Sequence, residues 1–385
     1  MSNGEINFAS HHTRPASGLE GIARIGKVRR PIGDPVAHEK WPLRFEAPPP
    51  PTVRDFTLSL DLVAPEAAAA AAANKKLVFH CVGDTGGIHG ESTQVAVAEA
   101  MEQQIQAAGD VDKAAFLYLV GDVVYFNGVS NLYKWQFYEP YQYYPAPIFA
   151  IPGNHDGDTN VRAGDPPDPE PSLTGFMLNF CDTTPRPAQY RTTMTQPYCY
   201  WTLLTPLLTI VGLYSNVEGS LDPRGRSDQQ TWLSNQLQSA PTDKKLIVTV
   251  HHPCYSLDSA HGGSPDILAA IDQSISEANR APDAIISGHV HNYQRFSRDV
   301  GGRAVPYIVA GAGGYADTPR LMHKIQKIDT GRPFQTTHPD VTLVNDNEQD
   351  PGYLQVTVTD TAMTLEYFVV PFDNSAPSLF DSVTV

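Results

Sequence analysis

Short apolar runs alternate with helix-like segments along most of the chain. Each run is long enough for a buried strand or strand pair, at 77–83, 116–122, 147–156, 202–215, 246–253, 284–291, 306–314 and 352–370. Segments between them have the composition or periodicity of helices, at 92–108, 228–240 and 265–280. Strands that alternate with helices are typical of an α/β sheet with crossover connections. The hydrophobic pattern therefore predicts an α/β domain.

Residues 1–74 differ from the rest of the chain in composition. Residues 1–74 are predicted to form an irregular N-terminal arm, rich in Pro, Gly and charge up to about residue 55. Within it, FTLSLDLV (56–63) alternates apolar and polar residues and predicts one strand. The alanine run from Ala67 to Ala73 predicts a connector or a short helix. Residues 75–385 form the α/β domain, interrupted by a polar insertion loop at 157–200 that is expected to line a site.

The composition and the apolar runs predict a sizeable core and argue against nucleic-acid and membrane partners. The 385 residues are 41% hydrophobic, which is enough for a sizeable core. The formal net charge of −15 gives no overall electrostatic footprint for a nucleic-acid polymer. The N-terminal residues lack the apolar core of a secretory signal, and no run is long enough to span a membrane. We therefore expect a cytoplasmic protein with no membrane partner.

The four cysteines do not form a recognisable framework. Cys81, Cys181, Cys199 and Cys254 are widely spaced and contain no CxxC pair, which argues against a zinc ribbon or a dense disulfide scaffold. Cys181 and Cys199 lie in one loop-like region and could form a disulfide. The spacing nevertheless favours free thiols.

Polar side chains follow five of the apolar runs at the point where each run ends. The five ends read GDTG (83–86), GDVVY (121–125), GNHD (153–156), VTVHH (248–252) and GHVH (288–291). A single end of this kind is usually a turn or a helix cap, but five are hard to explain as independent turns. In α/β sheets the carboxyl ends of strands form the crevice where ligands bind.

Seven of these side chains are candidate metal ligands. They are Asp84, Asp122, Tyr125, Asn154, His251, His289 and His291. Carboxylates, an amide oxygen, a phenol and imidazoles suit hard or borderline metal ions. Residues i and i+2 of an extended chain point to the same side, so His289 and His291 can reach one site. Seven ligands exceed the needs of one ion, and two ions that share one carboxylate are the natural partition.

In this order, the five motifs resemble those of the calcineurin-like metallophosphoesterases. The tyrosine in GDVVY and the GDTG first motif resemble the purple acid phosphatase branch, and GHVHNYQR is similar to its plant-type members. The resemblance covers roughly Leu77 to Phe296. It implies a four-layer α-β-β-α sandwich, with two mixed β-sheets packed face to face and helices outside. It also implies that residues 75–385 are a metallophosphoesterase catalytic domain.

The resemblance also implies a division of the ligands between two metal ions. Asp84, Tyr125 and His291 would hold Fe(III), whereas Asn154, His251 and His289 would hold a divalent ion. Asp122 would bridge the two. Charge fits this division, because the first site collects carboxylates and a phenolate whereas the second has neutral ligands plus the shared carboxylate. Whether the divalent ion is Zn, Fe or Mn stays open.

The implied activity is hydrolysis of phosphate monoesters through a metal-bridging hydroxide. The substrate would be a small phosphorylated molecule. His155 resembles the family histidine that protonates the leaving group, and His261 is similar to a substrate-facing histidine of plant-type members; His252 is interpreted as structural. A phosphodiesterase acting on nucleotides or lipid head groups is the alternative, and a non-catalytic binding protein on the same fold is a second. The oligomeric state is not predicted.

Two departures from the family pattern matter. Many members carry an acid two residues after the motif tyrosine, where this chain has Asn127. The pairing of that acid with a catalytic histidine is therefore not expected here. Plant-type members also have an N-terminal β-sandwich domain, which we expect to be absent or much reduced in this chain.

Overall fold

Two mixed β-sheets form the centre of the protein in a computed structural model. The structure describes residues 45–159, 170–188, 190–222, 224–259, 261–328 and 331–385. The strands in these residues are β1 Thr57–Ser59, β2 Lys76–Val82, β3 Leu117–Val120, β4 Ile148–Ile151, β5 Trp201–Leu204, β6 Leu208–Leu213, β7 Lys245–Val250, β8 Ala284–Ser287, β9 Tyr293–Val300, β10 Arg303–Ala310, β11 Phe334–Gln335, β12 Val341–Asn347, β13 Gly352–Thr359, β14 Met363–Val369 and β15 Ser378–Thr384. One sheet has the order β1-β5-β6-β7-β8-β10-β9-β12-β11, and the other β15-β14-β13-β2-β3-β4.

Helices lie outside both sheets. Their bounds in the described residues are α1 Leu60–Val63, α2 Pro65–Asn74, α3 Ser92–Ala107, α4 Asn154–Gly157, α5 Thr174–Phe180, α6 Asp228–Ser239 and α7 Pro265–Ala278. Helices α6 and α7 lie on the nine-stranded sheet, whereas the short α4 lies at the strand ends. A 3₁₀ turn at Ser130–Leu132 and a π turn at Lys134–Tyr138 follow β3. Helix α3 lies on the six-stranded sheet, where Gln104 Oε1 is 3.0 Å from both His80 Nε2 of β2 and Tyr353 Oη of β13.

The central strands are buried on both faces, as their continuous apolar sequences predict. In β6, Val211 and Leu213 belong to an apolar cluster that includes Leu233 of α6 and Ile271 of α7. The alternate residues of β6 face the other way and join the main core. One face of the nine-stranded sheet therefore packs on helices and the other on the second sheet.

Direct contacts join the two sheets. The Tyr118 hydroxyl of β3 lies 3.3 Å from Thr249 Oγ1 of β7. The Trp201 indole of β5 donates to the Ala150 carbonyl of β4 at 3.0 Å. With helices outside both sheets, the four-layer α-β-β-α sandwich with mixed sheets is confirmed.

The predicted strand at 56–63 is only partly correct. Strand β1 covers Thr57–Ser59, and the chain then turns into α1. The partner strand β5 ends opposite Ser59, at Leu204, so Leu60 has no residue of β5 opposite it to continue the strand pairing. Leu60 is fully buried while Leu62 is 74% exposed, which a short helical turn permits. The alanine run lies within α2, whose first residue, Pro65, is pre-organised for a helix start.

Four strands were not predicted: β9, β11, β12 and β15. Strand β9 reads YQRFSRDV and β15 reads SLFDSVT, sequences too polar to stand out as apolar runs. The insertion at 157–200 contains α5 and two isolated bridges, Cys181–Thr195 and Pro187–Thr192. The arm residues 1–44 and loop residues 160–169 lie outside the described residues.

The cysteines and the helices bear on two further expectations. All four cysteines are free thiols, as predicted, and Cys181 and Cys199 form no disulfide. Within the residues that the structure describes, every helix is too short or too polar to cross a membrane.

A buried ion pair connects the two sheets near the C-terminus. Asp381 of β15 accepts hydrogen bonds from Arg295 Nε at 2.6 Å and Nη2 at 2.8 Å, both on β9. It also accepts one from the Tyr293 hydroxyl at 2.6 Å. Burial alone would raise the pKa of Asp381, but the contacts with Arg295 and Tyr293 outweigh it and hold the pKa below its usual value. The ionised carboxylate is thus favoured by folding.

We expect Asp381→Asn to lower the free energy of unfolding by about 2–3 kcal/mol near pH 7, because it leaves Arg295 buried without a counter-charge. A lowered folded-state pKa stabilises above the unfolded pKa of about 4, and that contribution is lost as pH falls through the folded value. The difference in the free energy of unfolding between the variant and the wild type should therefore shrink below about pH 4. Denaturant titrations at several pH values measure it.

The control is Asp360→Asn, which removes an exposed ion pair with Lys75 whose side chains are 50% and 70% exposed. This variant should unfold like the wild type. Equal effects of the two substitutions, or a difference in the free energy of unfolding for Asp381→Asn that is as large at pH 3 as at pH 7, would contradict the assignment.

Candidate metal centre

The five predicted strand ends meet at one edge of the sandwich. Asp84 follows β2, Asp122 follows β3, Asn154 follows β4, His251 follows β7 and His289 follows β8. Backbone hydrogen bonds hold the loops together: Asp84 N donates to Gly121 O at 3.0 Å, and Gly288 N donates to His251 O at 3.0 Å. Parallel strands carry these residues in both sheets, so their carboxyl ends open into a shared crevice.

Glycines stand just before some of the candidate ligands because the carboxylate of another candidate ligand lies directly against the backbone there. A Cβ on Gly288 would lie 2.5 Å from Asp84 Oδ2, and one on Gly153 would overlap Asp122 Oδ1. Three candidate ligands also have left-handed backbone angles, with φ of 57° at Asp84, 51° at Asp122 and 70° at His289. Such angles are uncommon outside glycine, although aspartate and histidine adopt them more readily than most residues, and they cluster at functional sites.

The first group of donor atoms contains Tyr125, Asp84 and His291. Tyr125 Oη lies 3.1 Å from Asp84 Oδ1 and 3.3 Å from His291 Nε2. His291 Nε2 lies 3.4 Å from Asp84 Oδ1. Oxygen and nitrogen ligands about 2.0–2.2 Å from one ion are about 2.8–3.6 Å from their nearest neighbours in octahedral or tetrahedral geometry. The triangle therefore has the dimensions of one face of a metal coordination shell.

The second group contains Asn154, His251, His289 and Asp122. Asn154 Oδ1 lies 3.1 Å from His251 Nε2 and 3.0 Å from His289 Nδ1. His251 Nε2 lies 3.3 Å from Asp122 Oδ2. Ligand atoms of Asp122, His251 and His289 all lie within 4.8 Å of one another. The structure thus brings all seven predicted ligands into two adjacent groups.

Burial makes these groups costly without a cation. It raises the pKa of Asp84 well above its ordinary value, and the nearby Asp122 charge adds to the effect. It also raises the pKa of the Tyr125 phenol, again with a contribution from Asp84 and Asp122. The basic side chains in contact with the two carboxylates are imidazoles, His251 beside Asp122 and His291 beside Asp84, which carry a positive charge only when protonated. A bound cation would reverse this cost, so the donor set fits metal ions.

The same carboxylates change the pKa of a neighbouring imidazole. Burial disfavours the charged form of His251, but the Asp122 and Asp84 charges outweigh it and raise its pKa to about 9. Burial likewise opposes ionisation of Asp122, yet His251 and His155 bring the pKa of that carboxyl below its usual value. His291 is different: burial, and then the neighbouring histidines, lower its pKa well below the ordinary value.

His155 borders both groups. Its backbone N–H donates to Asp122 Oδ1 at 2.9 Å, and its ring lies 4.6 Å from the Tyr125 ring. Its Nδ1 is 2.7 Å from the Phe126 carbonyl, which can only accept, so Nδ1 carries a proton. This hydrogen bond orients the ring and leaves Nε2 as the atom available for proton transfer.

His261 lies beside the histidines at the end of β8. Its ring centroid is 5.5 Å from that of His289, and its side chain is 18% exposed. The His261 backbone N–H donates to Asp258 Oδ2, and His261 Nδ1 lies 3.8 Å from the same oxygen. His252 contacts Ser215 Oγ through Nδ1 at 2.7 Å and lies 4.2 Å from the His289 ring, a supporting position.

Three residues around the site were not predicted. Asp156 is buried and accepts from Gly153 N at 2.8 Å and Val123 N at 3.1 Å, which locks two ligand loops together. Gln136 holds the Tyr125 backbone through both polar atoms of its amide. His323 lies with Asp258 and His261 in a second group whose ligand atoms are within 4.8 Å of one another. Asp156 is part of GNHD, but Gln136 and His323 carry no sequence signal.

The part of the chain that carries the five motifs is similar to known proteins. The sequence profile described as calcineurin-like phosphoesterase matches residues 77–293. Tartrate-resistant acid phosphatase type 5 from Homo sapiens is 26% identical over 323 residues, covering 80% of this chain and 90% of the relative. Purple acid phosphatase 21 from Arabidopsis thaliana is 32% identical over 122 residues, covering 30% of this chain and 28% of the relative.

Solved structures establish the fold independently. The purple acid phosphatase PPD1 from yellow lupin (Lupinus luteus) seeds has a TM-score of 0.57 at 16% identity, with 80% of this chain and 53% of that chain covered. GAP50, described as the anchor in the inner membrane complex of Plasmodium, has a TM-score of 0.54 at 15% identity, with 80% and 89% covered. The chain belongs to the calcineurin-like phosphoesterase family, and its relatives there include purple and tartrate-resistant acid phosphatases.

Proposed function

We propose that the protein is a binuclear metal-dependent phosphatase that hydrolyses phosphate monoesters. The single observation that carries the proposal is the pair of adjacent donor groups built from seven side chains at the strand ends. Tartrate-resistant and purple acid phosphatases among the relatives support a phosphoric ester hydrolase with a dinuclear metal centre.

The residues divide between the two ions by the chemistry of their donors. Asp84, Tyr125 and His291 would hold Fe(III), because two anionic oxygens suit a trivalent ion. Asn154, His251 and His289 would hold a divalent ion, Zn, Fe or Mn, and Asp122 would serve both. When bound, the two cations would lower the pKa of water to supply a nucleophile and would offset charge on the phosphoryl group.

The remaining residues act on the substrate. His155 Nδ1–H is held by the Phe126 carbonyl, and in the imidazolium form its Nε2–H would give a proton to the leaving-group oxygen, which leaves the neutral ring protonated on Nδ1. His261, whose ring lies beside that of His289, would bind the phosphate. The substrate is a small phosphorylated molecule. A cytoplasmic location, the absence of nucleic-acid and membrane partners, and a catalytic domain at 75–385 with an arm at 1–74 and a site-lining insertion at 157–200 stay predictions.

We expect metal-reconstituted protein to hydrolyse p-nitrophenyl phosphate with a higher kcat/KM than bis(p-nitrophenyl) phosphate. The monoester dianion presents more charge to two cations and their flanking histidines than the diester monoanion does. Steady-state kinetics on both compounds measures this ratio. A preference for the diester would indicate a phosphodiesterase, and no turnover by metal-loaded protein would indicate a binding protein on this fold.

Asp122→Asn should lower metal occupancy at both positions, because its carboxylate is assigned to both ions. Wild-type protein should contain about two metal ions per chain, one of them iron. Elemental analysis after reconstitution measures both values. Asp360→Asn, on the exposed surface, is the matched control and should retain both ions. A wild-type protein that takes up one ion, or an Asp122 variant that loses only one, would refute the shared assignment.

His155→Ala should leave both metals bound but slow turnover by about 10²–10⁴-fold, because the leaving group loses its proton donor. The loss should be smaller for p-nitrophenyl phosphate, whose leaving group needs little protonation, than for an alkyl phosphate. We would compare kcat/KM for both substrates in His155→Ala and in His338→Ala, an exposed histidine of the β11–β12 turn. Equal losses on the two substrates would rule out proton donation and leave phosphate binding.

A further inference from the structure

The loop after β10 is paired with the loop that carries His261. Ser259 N donates to Lys324 O at 2.8 Å, and Gln326 N donates to Leu257 O at 2.8 Å. An isolated antiparallel bridge joins Asp258 to Ile325 between these two hydrogen bonds. The pairing brings His323 next to the site although no motif marks it.

On one side, His323 contacts the candidate ligand His291. The His291 backbone N–H donates to His323 Nδ1 at 3.1 Å, and the His323 backbone N–H donates to His291 O at 3.1 Å. The two rings are stacked, with centroids 4.1 Å apart and planes at 22°. Because a backbone N–H can only donate, His323 Nδ1 must be an unprotonated acceptor.

On the other side, His323 contacts His261. These rings are stacked with centroids 4.3 Å apart and planes at 14°. His261 is further fixed by Asp258, a fully buried carboxylate that accepts from the His261 backbone N–H. One ring therefore lies between a residue assigned to the metals and a residue assigned to the phosphate.

We propose that His323 is a positioning residue with two separable roles. Its Nδ1 fixes the backbone of His291, and its ring face orients His261 toward the phosphate. The inference rests on the proposed function, because it takes His291 as a metal ligand and His261 as a phosphate contact. Polar partners behind a ligand commonly tune metal affinity, and stacked rings restrict each other's orientation.

Two substitutions separate the roles. His323→Asn places an amide oxygen near the position of Nδ1 but removes the ring, whereas His323→Phe keeps a ring but removes the acceptor. We expect the Asn variant to retain metals like the wild type and to bind inorganic phosphate about 2–10-fold more weakly. We expect the Phe variant to lose metal affinity by about 10-fold and, once reloaded with excess metal, to bind phosphate like the wild type.

Chelator competition measures metal affinity, and calorimetric titration of metal-loaded protein measures phosphate binding. Leu321→Ala is the matched control, because this residue is exposed and lies two positions away in the same loop. His261→Ala combined with His323→Asn adds a further test: once His261 is absent, the Asn substitution should have no additional effect on phosphate binding. Thermal unfolding of each variant shows that it is folded.

The outcomes distinguish the inference from the function on which it rests. If wild-type protein fails to take up two metals or to hydrolyse the monoester, the proposed function is wrong. If the wild type behaves as proposed, the inference is overturned by variants that match Leu321→Ala, by variants that lose metal and phosphate binding together, or by additive effects in the double variant.

Discussion

Burying two carboxylates and a phenol in one crevice is electrostatically unfavourable, and the local structure is organised around that cost. Asp84 and Tyr125 are fully buried and Asp122 almost so, and burial raises the pKa of the first two well above their ordinary values. The basic side chains beside the carboxylates are imidazoles, which are charged only when protonated, rather than fixed cations. Bound metal ions would supply the missing charge, and the oxygen and nitrogen donors converge at spacings close to 3 Å, which suit such ions.

The surrounding backbone is shaped to tolerate this crowding. Glycines at 153 and 288 leave room for the carboxylates of Asp122 and Asp84, and three ligands adopt left-handed backbone angles. Asp156 ties the loops after β3 and β4 together through backbone N–H groups. Two sheets that pack face to face keep these loops in place, so strain at the site is supported by the core rather than relieved by local rearrangement.

Much of this arrangement was predictable from sequence because strand ends and residue types coincide. Asp84, Asp122 and His251 each follow an apolar run, and parallel strands bring such ends together. Strands β9 and β15 were missed because residues such as Arg295 and Asp381, which pair across the sheets, make them read as polar surface. His323 was missed for another reason: its position depends on pairing between two loops distant in sequence, which leaves no periodicity to detect.

The fold by itself does not specify catalysis. GAP50, with a TM-score of 0.54 to this chain, is described as the anchor in the inner membrane complex of Plasmodium, and only the donor groups, not the fold, can indicate chemistry in this chain. Crystallographic anomalous scattering from metal-reconstituted protein, collected on both sides of the iron absorption edge, tests this most directly. We expect two peaks about 3.5–4 Å apart on either side of the Asp122 carboxylate, with an iron signal at the one beside Tyr125 whichever divalent metal gives the other. A single peak, or a peak beside Tyr125 that carries no iron signal, would contradict this assignment.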